Sequence, residues 1–191
     1  HDAGVLMARP MKGTAPGSGD ATLDAERSKA LAHDTKNRAE NLMIVDLLRN
    51  DLGRVAQTGS VEVPALFDVQ RYGAVLQMTS TVQARLRENA TLAQIFAALY
   101  PCGSITGAPK RRTMEIIHEL EPAARGIYTG AIGWFDPPVD NKPFGDFCLS
   151  VPIRTLALGQ EQHGVRRGEL GVGAGIVYDS DAQAEYAECR L

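Results

Sequence analysis

Cysteines and long apolar runs are scarce in this sequence, and each shortage excludes a class of protein. The three cysteines, Cys102, Cys148 and Cys189, are odd in number and far apart, so neither a disulfide framework nor a metal knuckle is predicted. Free thiols in a reducing cytosol are expected instead. No apolar stretch approaches the ~20 residues of a transmembrane helix, and no signal peptide is visible. The sequence therefore predicts a cytoplasmic protein with no membrane partner.

A strong excess of charge of either sign is also missing. The formal net charge is −3, from 20 lysines and arginines against 23 aspartates and glutamates. Domains that bind nucleic acid normally carry a basic surplus, so no nucleic acid partner is expected. Local basic clusters are interpreted instead as sites for a small anion. With 44% hydrophobic residues in 191, the chain is long enough for one substantial core.

Apolar patterning predicts an α+β fold, with antiparallel β-sheets packed together and helices on the outside. Helical periodicity runs from Leu23 to Leu52 with a break near residues 34–35. Capping-box patterns at Thr91 and Ser180 predict two further helix starts. The predicted strands are 5–8, 60–64, 74–82, 126–134, 147–158 and 168–178.

A glycine-rich turn at residues 101–110 (PCGSITGAPK) leads into another predicted helix. Lys110, Arg111 and Arg112 lie in its first turn, where the helix dipole favours anions and penalises each cation by ~0.3–1 kcal/mol. The free backbone N–H groups, the hydroxyls and these cations together predict an anion site for phosphate or carboxylate. A solvated turn before an ordinary helix is the alternative.

The helix after this turn is predicted to begin at Pro109, because proline suits the first helical position, where its missing N–H has no partner anyway. Met114, Ile117 and Leu120 recur at helical spacing. We therefore expect this helix to bury one face.

Gly171, Gly173 and Gly175 recur at period two within the last predicted strand, which leaves one face of that strand bare. Glycine weakens a strand, so a bare face indicates that a ligand or another segment approaches the backbone closely. The G-x-G-x-G spacing differs from the dinucleotide-binding turn, so a Rossmann fold is rejected.

One lysine and three glutamates are the remaining candidates for chemistry. Lys12 follows the first predicted strand, beside a glycine and a hydroxyl, and Glu40 lies at the edge of an apolar helix face. Glu185 and Glu188 are i,i+3 neighbours on the last helix, where like charges repel unless a cation lies between them. Such hard oxygen ligands suit Mg²⁺. Solvated surface charges are the alternative that these residues alone leave open.

Four stretches together resemble the chorismate-utilising enzymes, the family of anthranilate, aminodeoxychorismate and isochorismate synthases. They occur in the family's order and span almost the whole chain: 9–14 (RPMKGT), 39–51 (AENLMIVDLLRND), 103–110 (GSITGAPK) and 173–188 (GAGIVYDSDAQAEYAE). Lys12 indicates the aminodeoxychorismate synthase branch, because the other branches usually carry alanine there. Anthranilate synthase component I is one alternative, and a non-catalytic chorismate-binding relative is another.

The resemblance implies a reaction and a cofactor. Lys12 would attack C2 of chorismate and expel the C4 hydroxyl, after which ammonia would add at C4 and displace the lysine. The ammonia would come from a glutamine amidotransferase subunit or fused domain. Such an attack needs an unprotonated amine, which a water-poor site near other cations would supply. Glu40 and Glu188 match Mg²⁺ ligands of the family, with Glu185 close by.

The resemblance also implies a set of substrate contacts. Arg154 and Tyr128 match residues that hold the pyruvyl carboxylate. Gln77 stands where the family often has a histidine, and glutamine can hydrogen-bond the leaving hydroxyl but cannot protonate it. Family members carry a large N-terminal portion before the lysine motif, so residues 1–191 are expected to be the C-terminal part of one catalytic domain. The implied substrate contacts are Gly13, Thr14, Gln77, Ser104, Thr106, Tyr128, Arg154, Gly173 and Gly175.

Overall fold

Helices and strands follow one another in blocks along the chain, and every described strand pair is antiparallel, which confirms the predicted α+β class. The computed structural model describes residues 1, 4–139 and 142–190, and the side chain of Glu188 lies outside that description. The described strands are β1 (Val5–Ala8), β2 (Met11–Pro16), β3 (Glu62–Tyr72), β4 (Val75–Arg85), β5 (Ile132–Phe135), β6 (Phe147–Ser150), β7 (Leu156–Gln162) and β8 (Val165–Leu170). The described helices are α1 (Ala21–His33), α2 (Thr35–Gly53), α3 (Leu92–Leu99), α4 (Gly103–Thr106), α5 (Lys110–Leu120) and α6 (Ala182–Glu188).

Strand β4 is the centre of the four-stranded main sheet. It pairs with β3 along one side, while β1 and β2 pair with successive parts of it. Its apolar residues alternate with half-buried ones at period two, as expected when one face of a strand meets the core. The buried apolar side chains of β4 are Leu76, Met78, Val82 and Ala84.

Helix α2 packs its apolar face against this sheet. Val45, Leu48 and Leu52 are buried in the same cluster as Leu6 and Val82, and each such side chain contributes about 1.5–3 kcal/mol when fully buried. The predicted helix break is confirmed, since one residue, Asp34, ends α1 and begins α2. Its carboxylate accepts a hydrogen bond from the Asn37 backbone N–H at 2.8 Å, which satisfies a free donor of the new helix.

The other helix starts are close to their predicted positions. The capping box at Thr91 is confirmed, with Gln94 as its reciprocal partner. The last helix begins one residue later than its pattern suggests, because Asp181 rather than Ser180 caps it. None of the described helices combines the length and the apolarity that crossing a bilayer requires.

Helix α5 differs from its prediction in both start and burial. Pro109 lies just before the helix as its N-cap, so the helix begins at Lys110. None of its residues is buried, and Leu120 is 77% exposed, so the expected buried stripe is wrong. The apolar residues Met114 and Ile117 instead line an open groove of about 320 Å³ against the loop at 121–125.

The strands of the second half are shorter than their patterns suggest. The segment 126–134 forms a strand only from Ile132, and 147–158 is split in two by residues 151–155. The segment 168–178 is strand only to Leu170, so the strand with one bare face is wrong. The two short pairs, β5 with β6 and β7 with β8, form separate two-stranded sheets.

Candidate active site

Lys12 lies in a β-bulge on strand β2. Met11 is opposite Thr79 and Thr14 is opposite Gln77, so two residues of β2 face one residue of β4. A bulge of this kind bends its strand and changes the direction of a side chain. The second bulge residue, Gly13, has a φ of +100°, in the region that favours glycine. The bulge thus depends on glycine at position 13.

The amine of Lys12 forms an ion pair with Glu40 on helix α2. Its Nζ lies 3.1 Å from the Glu40 Oε2, and the two side chains are 50% and 31% exposed. The sequence predicted a water-poor site near other cations, and the structure differs on both points. The side chain is open to solvent and its ion-pair partner is a carboxylate. The structure nevertheless brings together two residues that the sequence singled out separately.

Side-chain amides hold the backbone of the bulge. The Gln77 Nε2 donates to the Gly13 carbonyl at 3.1 Å, and its Oε1 accepts from the Thr14 hydroxyl at 3.2 Å. From the other side, the Asn41 Nδ2 donates to the Lys12 carbonyl at 3.4 Å. Three predicted substrate contacts, Gly13, Thr14 and Gln77, are therefore neighbours of Lys12.

Sequence reasoning missed Asn41, which is completely buried. Its Oδ1 accepts a short hydrogen bond of 2.6 Å from the Ser80 hydroxyl on β4. A signal was present, because Asn41 lies four residues before Val45 on the face of α2 that also carries Leu48. A polar residue on an apolar face must find hydrogen-bond partners when it is buried.

The glycine-rich turn is fastened to α2 by a buried carboxylate. The Asp51 Oδ2 accepts from the Gly103 N–H at 3.3 Å and from the Lys110 Nζ at 2.9 Å. Lys110 also donates to the Ala98 carbonyl at 2.8 Å. A side chain at position 103 would crowd Leu47 and Asp51 at 3.2 Å, which explains the glycine there.

The three cations expected to bind an anion each have an acidic partner within the chain. Lys110 pairs with Asp51, whereas Arg111 and Arg112 both pair with Glu115, which lies within one helical turn of each. The expected three-cation anion site is therefore not what the structure shows. Of the groups predicted to bind an anion, the backbone N–H groups and the hydroxyls of the turn are still candidates.

Ser104 and Thr106, the predicted ring contacts, lie on helix α4. Ser104 is exposed, whereas Thr106 is buried and its hydroxyl donates to the Cys102 and Gly107 carbonyls. Burial raises the pKa of the neighbouring Cys102 thiol to about 11. A thiol held in its neutral form is a poor nucleophile, so the lysine is the stronger candidate.

Tyr128 fills the space that the repeated glycines leave open. A side chain at Gly171 would overlap the Tyr128 ring, and one at Gly173 would come within 2.9 Å of its hydroxyl. The residues alone left open whether a ligand or another segment approaches these glycines, and the family resemblance implied substrate at Gly173. The structure places the Tyr128 side chain against Gly171 and Gly173. Gly175 faces open space, and Arg154 is exposed with a φ of +53°. No contact in the structure tests the predicted substrate roles of these residues.

Two of the three predicted magnesium ligands have described side chains, and each of these has a partner within the chain. Glu40 pairs with Lys12, and Glu185 accepts a hydrogen bond from the Ser180 hydroxyl at 2.7 Å. The third ligand, Glu188, has its side chain outside the described residues. Among the residues that are described, no three acidic, histidine or cysteine side chains form a group that could hold a metal ion. Magnesium binding stays a prediction.

Residues 1–191 match the model of a protein family described as chorismate binding enzyme. The chain belongs to this family. A match over the whole length agrees with the four motifs, which are distributed from one end of the chain to the other.

Similar curated proteins include both aminodeoxychorismate synthases and anthranilate synthases. Aminodeoxychorismate synthase component 1 of Klebsiella aerogenes is 48% identical over 187 residues, which cover 97% of this chain and 39% of that protein. Anthranilate synthase component 1 1 of Haloarcula marismortui is 44% identical over 188 residues, covering 98% of this chain and 36% of that protein. The chain thus spans about two fifths of the length of these relatives.

Solved structures show the same fold. Anthranilate synthase component I from Streptococcus pneumoniae superimposes with a TM-score of 0.75 at 37% identity, covering 99% of this chain and 39% of that one. The isochorismate synthase MenF from Escherichia coli has a TM-score of 0.76 at 22% identity, covering 100% of this chain and 41% of that one. At 22% identity, the likeness to MenF shows a shared fold and nothing about function.

Proposed function

We propose that the protein containing this chain is an aminodeoxychorismate synthase component 1, which converts chorismate and ammonia to 4-amino-4-deoxychorismate for p-aminobenzoate and folate synthesis. The observation that supports this proposal is the placement of Lys12, whose amine projects from the bulge beside Glu40. Sequence identity supports it less sharply, because relatives named anthranilate synthase reach 44%.

The proposed reaction has two steps. The Lys12 Nζ forms a bond to C2 of the ring while the C4–O bond breaks and the double bonds shift, and the hydroxyl leaves as water by taking up the proton that Lys12 gives up through Glu40. Ammonia then bonds to C4, the lysine leaves C2, and the amine is regenerated. Lys12 must lose a proton before its attack. The Glu40 carboxylate lies 3.1 Å away, within the distance a general base requires.

Magnesium is part of the proposal, with Glu40, Glu185 and Glu188 as its ligands. Bound there, the ion would neutralise a substrate carboxylate and stabilise the charge that develops on the leaving oxygen. Arg154 and Tyr128 would hold the pyruvyl carboxylate, and Ser104 and Thr106 would line the ring.

The proposal also includes a partner and a location. Component 1 of a two-component synthase would receive its ammonia from a glutamine amidotransferase subunit or fused domain. The three cysteines are free in the structure, which agrees with a reducing cytoplasm.

Intact-mass spectrometry of the full-length protein tests the proposal. Incubation with chorismate and Mg²⁺ but without ammonia is expected to add the mass of chorismate minus one water. The adduct should be absent from Lys12→Ala and retained by Lys36→Ala, a matched control because Lys36 is an exposed lysine on α2.

The other outcomes decide between the alternatives. Anthranilate formed on addition of ammonium, without any adduct, would place the protein in the anthranilate synthase branch. Binding of chorismate with neither adduct nor product would indicate a non-catalytic relative.

A further inference from the structure

The backbone of the lysine bulge is held by side chains from two elements. The Lys12 carbonyl accepts from Asn41 on α2, and the Gly13 carbonyl accepts from Gln77 on β4. A bulge interrupts the regular ladder of a sheet, so its conformation needs support from outside the ladder. Two amide donors supply that support on consecutive residues.

Asn41 is fixed in the orientation that this contact needs. Because its Oδ1 accepts from the Ser80 hydroxyl at 2.6 Å, its amide nitrogen is directed toward the Lys12 carbonyl. Asn41 is completely buried and Ser80 is 1% exposed, so neither side chain is available to a ligand in solution.

Gln77 uses both ends of its carboxamide within the protein. The nitrogen donates to Gly13 and the oxygen accepts from the Thr14 hydroxyl. Glutamine holds Gly13 and Thr14 more firmly than an apolar residue would, because removing the partner of a half-buried polar group costs free energy. A residue engaged in this way positions the backbone around Lys12.

We propose that Gln77 is a positioning residue that, together with Asn41, clamps the Lys12–Gly13 bulge and so directs the Lys12 amine toward Glu40 on α2. This differs from the substrate contact that the family resemblance implies for position 77. The inference rests on the proposed function in one respect, namely that Lys12 is the group whose position matters.

The first test measures hydrogen exchange in the full-length protein without ligand. Replacing Gln77 by leucine removes both hydrogen bonds, and exchange of the peptide covering β2 is expected to speed up roughly five- to tenfold. Gln83→Leu is the matched control, because Gln83 lies on the same strand with comparable burial and hydrogen-bonds Glu62 instead. Unchanged exchange of β2 in Gln77→Leu would overturn the proposal.

A second variant tests the same clamp with a smaller change. Thr14→Val removes the hydroxyl that orients the Gln77 carboxamide while leaving both partners of the Gly13 hydrogen bond in place. Hydrogen exchange of the β2 peptide should be faster in Thr14→Val than in the parent protein, but slower than in Gln77→Leu. If β2 exchanges as slowly as in the parent protein, the orientation of Gln77 does not depend on Thr14 and the clamp as described is wrong.

The kinetic test separates positioning from substrate contact. In Gln77→Leu the rate of Lys12 adduct formation at saturating chorismate should fall roughly tenfold, with chorismate affinity within about twofold of the parent. A tenfold loss of affinity with unchanged exchange would make Gln77 a substrate contact instead. If the parent protein forms no adduct, the proposed function fails, and the exchange comparison still decides the clamp.

Discussion

Glu40 and Lys12 form a half-exposed ion pair, and such pairs contribute little to stability. Replacing Glu40 by glutamine should therefore change the free energy of unfolding by less than about 1 kcal/mol. The same change removes the carboxylate beside the Lys12 amine. Adduct formation should fall by roughly 100-fold or more, the usual contribution of a positioned base.

The measurement is the adduct rate by intact mass in the full-length protein, with urea unfolding in parallel. Glu26→Gln is the control, because Glu26 is an exposed glutamate on α1. A large loss of stability without loss of rate would assign Glu40 a structural role.

Cys102 and Cys148 should differ sharply in reactivity. With the pKa of Cys102 raised to about 11 by burial, its thiolate fraction at pH 8 is about one in a thousand. Cys148 is exposed. We expect a thiol reagent at pH 8 to label Cys148 rapidly and Cys102 only on unfolding, as measured by peptide mass spectrometry. Fast labelling of Cys102 in the folded chain would show that the turn opens readily.

Individual site residues could be chosen from the sequence, but their contacts could not. Lys12 and Glu40 stood out by residue type and motif, yet a separation of 28 positions gives no distance between them. Asn41 was missed because apolar periodicity selects apolar residues and passes over a polar residue on the same helix face. Its partner Ser80 lies on another element, which only the assembled sheet brings near.

At the scale of helices and strands, the glycine-rich turn is joined to α2 through Asp51, which pairs with Lys110 and accepts from the Gly103 N–H. Replacing Lys110 by methionine leaves the buried Asp51 without its charged partner. The expected loss of stability is about 3–5 kcal/mol, because a buried charge without compensation is costly. Arg111→Met is the control, since the Arg111 side chain is 92% exposed and its ion pair should contribute less than about 1 kcal/mol.

Urea unfolding of both variants in the full-length protein checks this. The double variant Lys110→Met with Asp51→Leu removes both charges and is expected to recover part of the loss. Equal stability of Lys110→Met and Arg111→Met would mean that the pair is solvated.

Local sequence signals predicted the helix boundaries well, but they failed where packing against a distant segment decides burial or strand pairing. The break at Asp34 and the capping box at Thr91 are confirmed, because a cap is satisfied within a few residues. The buried stripe on α5 is wrong, because burial needs a facing element, and none of the described elements covers Leu120. The strand through Gly171 is wrong because no described strand pairs with the chain beyond Leu170.

Over the whole molecule, the buried core comes mainly from residues 6–98, with Phe144 and Phe147 added to it. Strands β5, β7 and β8 are largely exposed. The α+β class could be predicted because it depends on the kinds of element present. The separation of the sheets could not, since it depends on pairings between distant segments.

The single tryptophan reports on the contrast between the buried core and the exposed strands of the second half. Trp134 on β5 is 54% exposed, so the 191-residue chain should show emission close to that of tryptophan in water and strong quenching by acrylamide. Phe147→Trp in a Trp134→Phe background is the matched control, because position 147 on the facing strand is 5% exposed. Its emission should be blue-shifted and protected. Equal quenching at both positions would contradict the described burial.

The pairing of β2 with β4 also determines when, during synthesis on the ribosome, the Lys12 segment can fold. Met11 and Thr14 pair with Thr79 and Gln77, so more than 60 further residues must be translated after the lysine before its strand has a partner. At about 5–20 residues per second, that interval lasts roughly 3–15 s. During it the nascent lysine has neither its bulge nor its amide clamp. The geometry around Lys12 is therefore acquired late, when the early strand β2 pairs with a strand that emerges after it.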